Sequence, residues 1–487
     1  MTVVFRFDAR AAAFPEARHA LETLAVLMGY PARFVAEGEA IAPEDAPVHV
    51  GAAAPHDPVA AHIFVSDWEP WQPADLELTE FEGRPMPAPR TSLPLEPVSR
   101  RFPAPWLRSV GFLLAREEED SDTRRDRWEC YAGNYSWQYE AGVLDRPLVN
   151  LAAAELARAI AAWCTAKGIA ADPLPRWKNG ARFAAVLSHD VDDLRLRSVD
   201  EALRLLGRAR TPWSYALRKG AMQLVRSLRA PTTGDDPYWR FDQWAAEEEK
   251  HGFRSTFFVF PPRPAAPHEF DPTYRLEDPV RFEGTIQPFS AALRALGERG
   301  FEIGLHASYR SYLSAERLAA EKSQIEAAIG RPITGIRQHF LRFEVPETWR
   351  AQRQAGFSYD STLGYNEAPG FRAGIAAPYR PWDPGLEEGM DLVELPLTVM
   401  DGTLFRTLLL NGPQAARRTI EQLEIVEGVG GLAVLLWHPN GAAEEHFPGW
   451  WSSYREVLAY LSGRSVWVAT ASEIDTWWRE REKKILL

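Results

Sequence analysis

Six residues equipped for hydrolysis, Asp190, Asp192, His306, His339, Asp360 and His438, stand at or just past the ends of short apolar runs spread over about 250 residues. The runs are 182–188 (RFAAVLS), 301–305 (FEIGL), 334–338 (TGIRQ), 357–359 (FSY) and 431–437 (GLAVLLW), and each gives way to a polar side chain. A carboxylate can ligate a cation or take a proton from water, and an imidazole can ligate a metal or deliver a proton. In SHDVDD (188–193) the two acids are two residues apart, so a strand running through them points both the same way. Helix capping by Asp192 or Asp193 is the ordinary alternative. His306 follows its run within EIGLHASYRSY (302–312), His339 lies between Arg337 and Arg342, and His438 sits in LLWHPN. One such histidine could be a satisfied core residue. Three of them together with an acid pair have no evident packing purpose and point to a hydrolytic site.

The elements that must position these groups are an alternating series. Strand-like runs at 182–188, 253–260, 301–305, 334–338, 357–359, 392–397, 431–437 and 465–469 are mostly separated by helical stretches. That alternation predicts a parallel sheet, and seven or eight strands predict closure into a barrel whose catalytic side chains occupy the C-terminal rim. Helices over 290–299 and 314–329 end at Gly300 and Gly330, and Thr470 with Glu473 forms a capping box for the last one. Before this region lie a strand at 3–7, a helix at 17–28, apolar runs at 48–50 and 62–65, and a helix over 151–167. They predict a separate small α/β domain over 1–175, with ADPLPRWKNG (171–180) as the boundary to a barrel over 176–487. Seven prolines between Pro85 and Pro105 predict an extended connector. The N-terminal domain is expected to cover one side of the barrel or to offer a binding or oligomer surface, for which GNYSW (133–137) is the candidate.

A net charge of −12 argues against nucleic acid as a partner, because phosphate backbones are held by Lys and Arg, and favours a neutral or cationic substrate. Two cysteines in 487 residues make no disulfide framework and suggest a reducing compartment. The opening MTVVFRFDAR lacks a basic-then-apolar leader pattern, and no window offers about 18 uninterrupted apolar residues. The expectation is a cytoplasmic protein without a transmembrane segment. The stretch 204–229 carries seven basic residues and no acidic one, which suits either an anionic surface or, more ordinarily, a solvated helical face.

With SHDVD (188–192), FRSTFFVF (253–260), HASYR (306–310), YDSTLGY (359–365) and LLWHPN (435–440) in view, the chain resembles the polysaccharide deacetylase (NodB-homology) family over roughly 182–478. The resemblance implies a distorted (β/α)7-type barrel and metal-dependent removal of N- or O-linked acetyl groups from a glycan or glycan precursor. Residue by residue, it implies Asp190 as base, Asp192 and His306 as metal ligands, Asp360 as the acid tuning the catalytic histidine, Leu435 lining the acetyl pocket and His438 as general acid. The family's His-Ser/Thr-x-x-His motif reads His306-Ala307-Ser308-Tyr309-Arg310 here, and a guanidinium cannot ligate. His339 is the candidate third ligand, completing the three-residue set usual for catalytic zinc, with Arg337 or Arg342 orienting Asp190. Ser308, Tyr309, Leu435 and Trp437 are the expected substrate contacts, and Trp450 and Trp451 offer further faces for sugar rings. The implied cofactor is a divalent metal, zinc first, and the implied partner a carbohydrate. Two other readings compete: an inactive glycan-binding relative, on the strength of Arg310, and an amidohydrolase acting on a non-carbohydrate C–N bond.

Overall fold

The computed structural model describes residues 1–52, 58–65, 68, 71, 76–81, 84–89, 101–196, 221, 222, 225 and 236–487. Nearly all of the basic stretch 204–229, and 90–100 of the proline-rich segment, lie outside the described residues.

Strand β1 (Val3–Phe7) is flanked by β2 (Ala32–Ala36) and β3 (Ala46–Gly51), and β4 (Ala61–Phe64) and β7 (Arg101–Phe102) extend the sheet in the order β2-β1-β3-β4-β7, all parallel. Three helices cover it: α1 (Pro15–Met28), α2 (Ala104–Ala115) and α3 (Leu148–Lys167). Helix α1 starts with proline at its first position and stops at Gly29, whose φ of 87° only glycine adopts without strain. By length and composition α3 could cross a membrane, yet Leu148, Val149, Leu156 and Ile160 are buried in the core. The proline-rich segment is not wholly irregular, since β5 (Leu76–Phe81) and β6 (Arg84–Pro89) form an antiparallel hairpin. Pro85, Pro87 and Pro89 recur at period two, so every missing N–H faces away from the partner strand and costs no ladder bond.

The second sheet is α/β in the sense expected. Nine strands, eight of them in the order β17-β14-β13-β12-β9-β8-β19-β18, pair in parallel throughout and curl into a distorted barrel with helices outside. They are β8 (Phe183–Val191), β9 (Thr256–Val259), β12 (Glu302–Ala307), β13 (Gly335–Gln338), β14 (Tyr359–Asp360), β17 (Val393–Glu394), β18 (Val399–Met400), β19 (Leu432–Leu436) and β20 (Val466–Ala469), while β10 (Pro279–Phe282) with β11 (Thr285–Pro288) and β15 (Trp382–Asp383) with β16 (Glu388–Gly389) form separate antiparallel pairs. All nine residues of β8 are buried, as a strand covered on both faces requires. Its length lets β20 pair with its first half and β9 with its second along one edge. Gly335 in β13 is obligatory for packing, because a Cβ there would lie 1.9 Å from the Tyr359 ring. The run 392–397 is not one strand: only Val393–Glu394 of it is β17, which pairs with β14, and beyond Pro396 the chain re-enters the sheet at Val399 as β18, which pairs with β19. Both ends of the sheet are therefore one continuous piece of chain, and that piece is the barrel's seam.

The two sheets share one hydrophobic core. Segment 171–180 is held rather than free, with Trp177 fully buried and Arg176 donating to Val429 and Gly430. GNYSW is likewise no free surface: Ser136 and Trp137 are buried, and the Gly133 N–H donates to Glu367 at 2.8 Å. A buried charge cluster lies beside it. Arg116 donates to Glu118 (2.7 Å), Glu119 (2.8 Å) and the Tyr365 hydroxyl (3.1 Å), while Arg372 holds Glu119 at 2.9 and 2.5 Å. Burial pushes the Glu119 carboxyl up, but Arg372 and Arg116 outweigh it and bring it down to about 2.

Arg372→Met removes one of the two arginines on the buried Glu119 and should lower the unfolding free energy by roughly 3–5 kcal/mol, read as a lower urea midpoint at unchanged m value. A depressed carboxylate stabilises above its unfolded value and loses that contribution as pH falls, so the gap between the proteins should be full above pH 4.5 and shrink toward pH 2.

Candidate active site

The C-terminal ends of β8, β12, β13, β18 and β19 open into one cavity of about 790 Å³, and Asp190, Asp192, His306, His339 and His438 all line it. Strand β8 runs on through Asp190 and ends at Val191, one residue short of Asp192, and both acids still reach the same space.

His306 and His339 meet with Nε2 and Nδ1 2.9 Å apart. Each ring's other nitrogen lies against a backbone carbonyl, His306 Nδ1 on Arg337 at 3.1 Å and His339 Nε2 on Phe270 at 3.0 Å. A carbonyl only accepts, so those nitrogens carry the protons and the facing pair presents lone pairs. Asp192 Oδ1 adds a third electron-rich atom, 3.3 Å from His306 Nε2 and 3.5 Å from His339 Nδ1, and it is buried without a hydrogen-bond partner among the described residues. Three lone pairs cannot converge so closely without a positive species among them. A second proton on His306, favoured by Asp190 and Asp192 against the effect of burial, would serve. A cation would serve better, since these three residues could hold a metal ion. A tetrahedral ion with arms of about 2.0–2.2 Å sets its donors about 3.3–3.6 Å apart, which matches two of the three separations.

Around this triad stand groups able to give or take a proton. Arg337, fully buried, donates from one nitrogen to Asp190 Oδ1 and Ser188 Oγ, both at 2.9 Å, and from the others to the carbonyl and hydroxyl of Ser361. Asp190 Oδ2 is left on the triad side, 3.9 Å from His306 Nε2. His438 places Nε2 3.5 Å from Asp192 Oδ2, and its Nδ1–H donates to Asp401 Oδ1 at 2.7 Å. Burial disfavours a charged ring at His438, but Asp401 and Asp192 outweigh it and hold the ring well above the ordinary histidine value. Burial also works against the Asp192 carboxylate, and the surrounding imidazoles hold it well below the usual range. Phe340 and Leu341, which follow His339 and line the cavity, have φ of 62° and 54°. Two successive left-handed residues with bulky side chains are strained, and that strain turns the chain sharply behind His339.

Several expected contacts lie elsewhere. Asp360 does not touch His438: its Oδ1 accepts from Gln352 (2.9 Å) and Thr362 (2.5 Å), and burial raises its carboxyl beside the buried Glu394. The acid on His438 is Asp401, which the rule of a polar residue after an apolar run would have found at VMDG had Pro396 not masked the run. Arg337, not Arg342, orients Asp190; Arg342 lies 4.2 Å over the rings of Tyr309 and Tyr312 and pairs with Glu129. Ser308 is buried on Glu321, and the Tyr309 hydroxyl donates to Trp128 O at 2.7 Å. Leu435 and Trp437 are buried at 1% and 0% exposure, and none of these four lines the cavity. Trp450 and Trp451 are buried too. The aromatic lining is instead Trp128, Tyr238, Phe270, Phe340 and Phe447, accompanied by Asn440, whose side-chain oxygen accepts no hydrogen bond from the described residues. Loops carry most of these residues, where periodicity gives no signal.

Among solved structures, a candidate polysaccharide deacetylase from Mycobacterium smegmatis is 20% identical, with a TM-score of 0.44, covering 64% of this chain and 95% of that one. Puue allantoinase is 15% identical, with a TM-score of 0.42 and the same coverage. The peptidoglycan deacetylase PdaC from Bacillus subtilis is 13% identical, with a TM-score of 0.31, covering 62% of this chain and 94% of that one. No family model matches the chain, and no curated protein does.

Metal analysis after dialysis against zinc should find one tightly held equivalent per chain. His306→Ala or His339→Ala should weaken it by about 100-fold or more, and Asp360→Asn should leave it in place. Because a proton competes for the same lone pair, the affinity should fall as the pH is lowered.

Proposed function

We propose that this protein is a metal-dependent hydrolase of the polysaccharide deacetylase type, removing N- or O-linked acetyl groups from a glycan or glycan precursor. The observation that carries the reading is the convergence of Asp192 Oδ1, His306 Nε2 and His339 Nδ1 beside two proton-handling groups of opposite character in one cavity. A divalent cation on those three residues, zinc by the nature of the donors, would supply Lewis acidity toward the acyl carbonyl. Asp190, fixed by Arg337 through Oδ1, offers Oδ2 to take a proton from the attacking water. His438, held charged by Asp401, donates to the departing nitrogen or oxygen. The wall of Trp128, Phe270, Phe340 and Phe447 suits the apolar faces of sugar rings, and the Asn440 oxygen can accept from a hydroxyl.

Arg310, which stands where the family's second motif has a histidine, is exposed in the turn after β12 and absent from the cavity lining. His339 supplies the donor that its position lacks. We place the reaction in the cytoplasm, with Cys130 and Cys164 both unpaired and buried. We also keep residues 1–175 as an accessory domain to a catalytic barrel over 176–487.

The full chain loaded with zinc should release acetate from N-acetylglucosamine oligomers or O-acetylated glycans, and a chelator should stop it. Asp190→Asn should lower kcat by about 10²–10⁴-fold. His438 must be protonated to act as acid, so Asp401→Asn, which removes the group raising it, should move the alkaline limb of the kcat/KM profile to lower pH. Zinc-loaded protein that releases no acetate from either kind of substrate would sink the proposal.

A further inference from the structure

Building on the hydrolytic reading of this cavity, we infer that its mouth is an anion subsite, in which Arg127 and Arg406 receive a carboxylate or phosphate carried by the glycan near the acyl group that is cleaved.

Both guanidiniums line the same cavity as the triad. Each lies over a tryptophan, Arg127 4.7 Å from the Trp128 ring centre and Arg406 5.3 Å from that of Trp450, which steadies its plane. Neither has a carboxylate partner among the described residues. Arg124 nearby is paired with Asp122, Arg350 with Asp383 and Arg464 with Glu427. Asp126, next to Arg127 in sequence, instead accepts from the Trp128 and Cys130 N–H groups at 2.8 and 2.9 Å.

The two arginines belong to one continuous rim. The Trp128 ring packs 5.1 Å from Phe340, and the Phe340 carbonyl accepts from Asn366 at 3.3 Å. The Asn366 carbonyl in turn accepts from Thr403 and Thr407 at 3.1 and 3.3 Å, on either side of Arg406. Arg127 thus stands on the His339 side, and Arg406 on the side of Asp401 and His438. A third lining arginine, Arg195, already donates to the Pro279 carbonyl at 3.2 and 2.6 Å.

The cavity's own acids do not cancel this charge. Asp190 is neutralised by Arg337, and Asp192 faces three imidazoles, leaving Asp193 as the remaining lining carboxylate. The net charge of −12, which suggested a neutral or cationic substrate, is a property of the whole surface, whereas recognition depends on the charges within a Debye length of about 8–10 Å. Guanidiniums bind carboxylate and phosphate through paired N–H groups, and the two sources share that chemistry.

Titration calorimetry on the zinc-loaded full chain, in the Asp190→Asn background so that ligands persist, tests this with two matched pairs. One pair is chitotetraose against a tetrasaccharide alternating N-acetylglucosamine with glucuronic acid, and the other is N-acetylglucosamine against its 6-phosphate. At least one acidic member should bind on the order of tenfold tighter than its neutral counterpart at low salt, and the advantage should shrink at high salt. Which pair shows it tells carboxylate from phosphate. Adding Arg127→Gln and Arg406→Gln should remove the advantage and leave neutral binding as it was, while the double lysine variant should retain part of it and guard against loss of folding. Equal binding within both pairs, or an advantage that survives the double glutamine variant, overturns the inference. Acetate release by the unmodified chain with no acidic preference would sink the subsite alone, and an acidic preference without acetate release from any of the probes would sink the hydrolase reading alone.

Discussion

Two imidazoles whose unprotonated nitrogens face each other at 2.9 Å, with a carboxylate oxygen beside them, repel unless something positive lies between. The surrounding structure enforces that arrangement. Strands β12 and β13 pair so that His306 stands opposite Arg337, and the Arg337 carbonyl fixes the tautomer of His306. The same residue's side chain crosses the barrel to Ser188 and Asp190 on β8. One arginine therefore couples the orientation of a candidate metal ligand to that of the proposed base, and a slip of one residue in that pairing would lose both.

The barrel's seam has a comparable double role. The chain from Val393 to Met400 ends the sheet on one side as β17 and on the other as β18, and Val399 and Met400 register with Leu435 and Leu436. That register puts Asp401 level with Trp437 and so beside His438, whose ring N–H and backbone N–H its two oxygens take, each at 2.7 Å. The next turn of chain carries Thr403, Arg406 and Thr407 to the rim. Closing the sheet and completing the site are thus the work of one segment.

The N-terminal region is more than a cover. Trp128 packs on Phe270 and Phe340 at the cavity, its carbonyl holds the Tyr309 hydroxyl, and Cys130 reaches the Phe340 carbonyl. The buried Arg116, Glu118, Glu119 and Arg372 cluster fastens the same region to the barrel, and its ion pairs make that attachment sensitive to the loss of any one member. The shape of the mouth depends on both parts of the chain.

Five of the site's side chains, Asp190, Asp192, His306, His339 and His438, were legible in the sequence because a polar residue just past an apolar strand marks the rim of a parallel sheet, and strand periodicity is local. The alternation of strands and helices carried the fold class by the same kind of local pattern. Asp360 satisfied that rule as well, yet it serves the barrel wall, because the rule gives a residue's height on its strand and not its neighbours across the sheet. Those neighbours follow from strand order and register, which set Arg337 rather than Arg342 on Asp190 and Asp401 rather than Asp360 on His438. Of the rim residues, Arg127 and Trp128 come from a loop and Arg406 from a single turn of π-helix, all too short or irregular for a period to be read, and only tertiary packing decided where they stand.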